Sequence, residues 1–119
     1  MDYPIGSEMT KGYLSLEVAQ AALKLVKDIM LVRKGENVVI TADTSSDSRV
    51  VEAVSKAVYM VEGNPIVLYY PTSYKAFEEP VKPVAEAVSE ADVWIEFAYY
   101  CVMHTPCFQR SVENGVRYT

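Results

Sequence analysis

The sequence predicts an α/β fold: a Rossmann-like, three-layer domain with a mostly parallel sheet of about four strands. Three observations predict it. Short apolar runs, "NVVITA" and "PIVLYY" among them, alternate along the chain with segments of helical apolar spacing. The passages between them carry proline, glycine or clusters of Asp, Ser and Thr, the residues that punctuate secondary structure. Strand–helix alternation of this kind is satisfied by right-handed crossovers, which lay parallel strands between two layers of helices.

Each element follows from its own spacing. The first helix is expected from Ser15, with Leu16, Ala19, Leu23, Val26 and Met30 as its apolar stripe, and Arg33, Lys34 and Gly35 as its basic last turn and stop. Residues 1–14 then form an N-terminal extension and 15–119 the α/β domain. "NVVITA" reads as a strand buried on both faces. "DTSSDS" supplies N-caps for a second helix, in which Val50, Val54, Ala57, Val58 and Val61 recur at helical spacing up to Gly63. "PIVLYY" reads as a second buried strand. Pro80 and Pro83 sit where a starting helix tolerates proline, ahead of a stripe of Val81, Val84, Ala85, Val88 and Ala91. "DVWIEFA" is the third strand. Thr105 and Pro106 have the order of an N-cap and first helical residue, the helix stops at Asn114–Gly115, and "VRYT" begins a fourth strand.

Composition narrows the function classes. Of 119 residues half are hydrophobic and 23% are charged, the balance of a globular chain. The net charge of −5 and the scattered basic residues exclude the basic face that nucleic-acid binding requires. No apolar run is long enough to span a bilayer, and "MDYPIGSEMTKGY" lacks the regions of a signal peptide. A cytoplasmic protein with reduced thiols is the expectation. The chain ends on a short strand, and a parallel sheet normally continues beyond such a strand. The expectation is therefore the N-terminal part of a longer two-domain protein.

The single histidine and both cysteines fall within "CVMHTPC". Cys101, His104 and Cys107 do not make a structural zinc site, which wants four ligands, and no C-x-x-C redox pair is present. Buried apolar packing is the reading for the cysteines. His104 follows the third strand and precedes a helix N-terminus, the edge where open α/β sheets bind ligands and where helix amides attract anions. It is the candidate general acid or base, against the alternative that it only bonds the local backbone. In "ADTSSDS", Asp43, Thr44, Ser45, Ser46 and Asp47 offer either ligand oxygens or helix caps. Neither a P-loop nor a G-x-G-x-x-G follows any strand. Tyr69, Tyr70, Tyr74, Phe77, Tyr99 and Tyr100 gather near two strand ends, as the lining of a pocket for a flat molecule or as an interface with another domain. Glu96, inside a buried strand pattern, requires a partner.

"KGENVVITADTSSDSRVVEAVSKAV", "SEADVWIEF" and "MHTPCFQRSVENGVRYT" occur in an order that resembles the N-terminal domain of the thermophilic-aminopeptidase (leucyl aminopeptidase-like) metalloenzyme family. Enzymes similar to 5-nitroanthranilate aminohydrolase and 2,5-dihydroxypyridine dioxygenase share that scaffold. The resemblance spans roughly residues 15–119 and is most specific at "ADTSSD" and "HT".

It implies a homo-oligomeric metal-dependent hydrolase, in which a divalent cation (Mn, Zn, Co or Fe) lowers the pKa of a bound water. That metal is expected in a C-terminal domain of the same protein, with none bound by this chain. His104 is the one residue carried over, on the "HT" match, as catalytic; Tyr99, Tyr100 and Thr105 stand beside it as the candidate substrate-binding residues. "PCF" after "HT", and the tyrosines before it, depart from the polar and basic pattern of peptidase-like members. An apolar, tyrosine-rich wall suits a small aromatic amine or amide better than a peptide. The alternatives are an iron-dependent ring-cleaving dioxygenase on the same scaffold and a non-catalytic binding or assembly domain.

Overall fold

A computed structural model describes residues 3–75, 77–99 and 105–119, with side chains from residue 14 onward. Helix α1 spans Tyr3–Lys24, twelve residues earlier than the start expected at Ser15, and passes into a π-helical turn over Leu25–Ile29. The helix stops at Met30, where Leu31 turns left-handed at φ 53°, so the basic Arg33–Lys34 pair lies beyond it. Gly35, at φ 83°, belongs instead to the turn into the first strand, a backbone conformation glycine adopts without a Cβ clash. Ala22, Val26 and Met30 are buried, whereas Leu16 and Ala19 are exposed.

Strand β1 (Asn37–Asp43) is buried along all but its first residue, as its β-branched run predicts. Helix α2 (Ser48–Met60) is capped by the Asp47 carboxylate, which accepts from the Arg49 N–H at 3.0 Å. Its buried residues are Val51, Val54, Ala57 and Val58, with Val50 and Val61 at the margin. The chain then turns at Gly63, where an added Cβ would meet Val58 Cγ1 at 2.9 Å and Val32 Cγ1 at 3.0 Å. Strand β2 (Asn64–Tyr70) follows, then α3 (Lys82–Ser89), β3 (Val93–Glu96), α4 (Pro106–Glu113) and the two-residue β4 (Arg117–Tyr118). Val81 is the exposed N-cap of α3 rather than part of its buried stripe.

The strands form one all-parallel sheet in the order β2-β1-β3-β4. The α/β reading of the sequence holds. Its expectation for "PIVLYY" does not, because β2 is an edge strand whose residues are exposed or half-buried. An apolar β-branched run has the same composition at an edge as at the centre, so composition could not separate the two. On one face, α1, its π-turn and α2 cover Val38, Ile40, Ala42, Val93 and Ile95. On the other, Val84, Ala85 and Val88 of α3 and Cys107 of α4 pack with Val39 and Trp94. Among the described residues, no helix is long and apolar enough to cross a membrane.

Candidate active-site cleft

From β1 the chain passes to β2 on one side, then returns across β1 to β3 on the other. The carboxyl ends of β1 and β3 therefore flank a topological switch point, where the connections diverge and leave a crevice. The loop of residues 44–47 and the segment from Phe97 to Thr105 both start there.

Asp43, 2% exposed, ties these two loops together. Its carboxylate accepts from the Ser45 N–H at 2.9 Å and, across the switch point, from the Tyr99 N–H at 2.7 Å. Ser46 Oγ accepts from the Asp43 N–H at 3.0 Å and donates to the Phe97 carbonyl at 2.7 Å. Thr44 and Ser45 hydroxyls each lie 2.9 Å from Thr72 Oγ1, which ties in the loop after β2 as well. The polar cluster "DTSSD" thus supplies caps and loop ties in this structure.

Beside this frame lies a cleft of about 490 Å³, lined among others by Asp43, Tyr70, Thr72, Lys75, Glu79 and Ala98. Burial, and then the nearby charges of Glu96, Asp43 and Cys107, push the Tyr70 phenol up to about 12. At neutral pH it is a neutral hydrogen-bond donor. The Cys107 thiol, fully buried, is pushed up to about 11, chiefly by burial. It is therefore a packing residue with little thiolate, as expected from its sequence context. Glu79 reaches α4 from the loop between β2 and α3, and its carboxylate accepts from the Cys107 N–H at 2.9 Å. That amide, expected to attract a ligand anion, is occupied by the chain's own carboxylate. Glu96 has its partner in the Tyr118 hydroxyl, which donates to it.

The exposed aromatic residues form a rim. Tyr99 is 60% exposed and meets Tyr74 edge-on, with ring centroids 6.1 Å apart. Tyr69, Tyr74 and Phe77 are exposed around the same strand ends. Thr105 is 1% exposed, and its hydroxyl accepts from the Phe108 N–H at 3.4 Å as the α4 cap. His104, Tyr100 and Cys101 lie outside the described residues. Among the described residues, no group of three or more His, Cys, Asp or Glu is placed to hold a metal ion.

Sequence reading placed Tyr70 among the pocket-lining aromatics, where the structure also has it, and missed Glu79 as a helix cap. The "FEEP" stretch gave no sign that one of its carboxylates meets α4 from a distance of 28 residues. A second groove, about 630 Å³, runs between α1 and α2 and is lined by Leu14, Val18, Ala19, Val50 and Met60 with charged residues at its margin.

No family model matches the chain, and no curated protein matches it by sequence. Its fold is similar to that of a solved structure, 2,5-dihydroxypyridine dioxygenase from Pseudomonas putida KT2440, with a TM-score of 0.71 and 15% identity. The match covers 88% of this chain and 34% of that one, so this chain spans about a third of its neighbour's length. At that identity the likeness is one of fold.

Proposed function

We propose that this chain forms one wall of the substrate cleft of a metal-dependent enzyme acting on a small aromatic molecule. The observation that carries the proposal is the coincidence of an aromatic rim, a cleft of about 490 Å³ and the switch point of the sheet. In this reading Tyr99 offers a ring face to the substrate, and Tyr70 donates a hydrogen bond to a ring oxygen or carbonyl. Tyr100 adds to the aromatic wall. Thr105 fixes the start of α4, and His104, directly before it in the chain, moves a proton or holds an acidic group. The metal of this reading sits in a C-terminal domain of a longer protein, as the resemblance to the aminopeptidase-like family implies.

The reaction in this reading is hydrolysis of an amine or amide, as the resemblance to the aminopeptidase-like family implies. Ring cleavage by an iron-dependent dioxygenase is the second reading, favoured by the name of the structural neighbour. A cytoplasmic homo-oligomer belongs to the same proposal.

Turnover of hydroxylated and amino-substituted aromatic acids by the metal-loaded full-length protein tests it, with product release and oxygen uptake followed together. His104→Ala is expected to lower kcat at least about tenfold, and Tyr99→Ala to raise KM. Oxygen consumed in step with substrate selects the dioxygenase reading. Unchanged kinetics in both variants would remove these residues from the site. Substrate binding without turnover under any metal would leave a non-catalytic binding domain.

A further inference from the structure

The stop that ends α4 is an asparagine followed by glycine, and both Asn114 and Gly115 are exposed. Glycine has no side chain to shield its backbone nitrogen, so an asparagine before it can react with its own main chain. The Gly115 nitrogen loses its proton to solvent and bonds to Asn114 Cγ. The Cγ–Nδ2 bond breaks, ammonia leaves and a cyclic imide closes. Water then opens the ring at Cγ to give aspartate, or at the Asn114 main-chain carbonyl to give isoaspartate. An amide and a water become a carboxylic acid and ammonia, and the reaction needs neither oxidant nor enzyme.

The structure holds each participant away from this reaction. With ψ at −1°, the Gly115 nitrogen eclipses Asn114's own backbone nitrogen and lies away from Asn114 Cγ. The Gly115 N–H donates to the Val112 carbonyl at 3.0 Å, which keeps its proton engaged. Nδ2, the leaving group, donates to the Ser89 carbonyl at the end of α3 at 2.8 Å. All three holds are released together only when the last turn of α4 opens. Val116 keeps that turn shut. It is 8% exposed, donates its N–H to the Ser111 carbonyl at 2.9 Å and packs in one layer with Val84, Val88 and Trp94. Beyond it lies only the two-residue β4, so the opening needed is small and local.

We propose that Asn114 is a latent deamidation site, gated by the last turn of α4, and that its reaction prevents the turn from closing again. The aspartate product sets a carboxylate against the Ser89 carbonyl, where the amide had donated. That charge also sits at the C-terminal ends of α3 and α4, which disfavour an anion. The isoaspartate product adds a carbon to the main chain just before β4, whose register on β3 rests on the Arg117 N–H donating to the Asp92 carbonyl at 3.1 Å. Either product unties α4 from α3. The other asparagines do not share the chemistry. Asn37 precedes the β-branched Val38, which shields the nitrogen, and Asn64 precedes Pro65, which has no N–H.

The test compares the native chain with the same chain unfolded in guanidinium chloride, both at mildly alkaline pH, by peptide mass mapping with enzymatic labelling of isoaspartate. Conversion at Asn114 is expected at least about tenfold slower in the native protein, as gating by local opening requires, with Asn37 and Asn64 intact in both. Val116→Ala loosens the turn and should speed conversion in the native protein while leaving the unfolded rate unchanged, with circular dichroism as the control for folding. Asn114→Asp, equivalent to the aspartyl product, should unfold at a lower denaturant concentration than the wild type. Equal rates in the native and unfolded chains, or no conversion in the unfolded chain, would overturn the proposal whether or not Val116→Ala folds. So would a native rate indifferent to Val116→Ala, or an Asn114→Asp variant as stable as the wild type.

Discussion

On the face of the sheet covered by α1 and α2, the fully buried side chains are aliphatic apart from Met30: Val26, Ile40, Val51, Val54, Val58 and Ile95 among them. On the face covered by α3 and α4, rings and polar anchors take over. Trp94, Tyr118 and Phe108 stack edge to face, with centroids 4.8 and 5.0 Å apart along that series. Three polar side chains in this layer are tied by hydrogen bonds. Trp94 Nε1 donates to Thr41 Oγ1 at 2.9 Å, Ser111 Oγ donates to the Cys107 carbonyl at 2.8 Å, and the Tyr118 hydroxyl donates to Glu96. Aliphatic packing tolerates rearrangement at constant volume, whereas rings with directional hydrogen bonds fix orientation. The difference teaches that the second face holds geometry for the cleft, since Tyr70 and Phe108 belong to its margin and Glu79 caps its helix.

The largest expected effect breaks that comparison at its centre. Trp94→Ala removes a ring 1% exposed and leaves the Thr41 hydroxyl without its donor, at a cost of about 3–5 kcal/mol. Val58→Ala in the aliphatic layer is expected to cost about 2 kcal/mol. Urea unfolding of both variants measures the gap, and equal costs would mean the two layers do not differ in this way.

A smaller effect concerns Tyr70. Its folded-state pKa is raised from 10 to about 12, so the unfolded chain ionises first as pH rises. The contribution is complete below pH 10 and is lost progressively as pH rises through about 12. Stability measured across that alkaline window should fall less in Tyr70→Phe than in the wild type, and phenolate absorbance should show one tyrosine titrating late. Titration of every tyrosine near its ordinary value would mean that Tyr70 is open to water.

The mildest perturbation is chemical. With its thiol raised from 9.0 to about 11, Cys107 carries about a hundredfold less thiolate at neutral pH than an ordinary cysteine. A thiol reagent should modify it only as fast as the chain unfolds. Rapid modification in the native protein would place Cys107 at the cleft surface.

The fold was legible where local signals were redundant. The alternation of "NVVITA", "DVWIEFA" and their helices, the Asp47 and Thr105 caps, and the Asn114–Gly115 stop all appear as read. The end of α1 was not, because a π-turn carries no composition of its own. The edge position of β2 was hidden for a similar reason: it follows from strand order, which is a long-range property. In the site, the aromatic cluster could be read from "YYPTSY" and "FAYY", while the engagement of Asp43 with Tyr99, 56 residues away, could not.

The central claim, that the carboxyl edge of the sheet binds a small aromatic molecule, is tested most directly by a backbone-amide NMR titration of the protein with a hydroxylated aromatic acid. The account predicts saturable shifts with one shared Kd at Thr44–Ser46, Tyr70–Lys75 and Ala98–Tyr99, lost in Tyr99→Ala. Shifts confined to the groove between α1 and α2, or none at all, would contradict it.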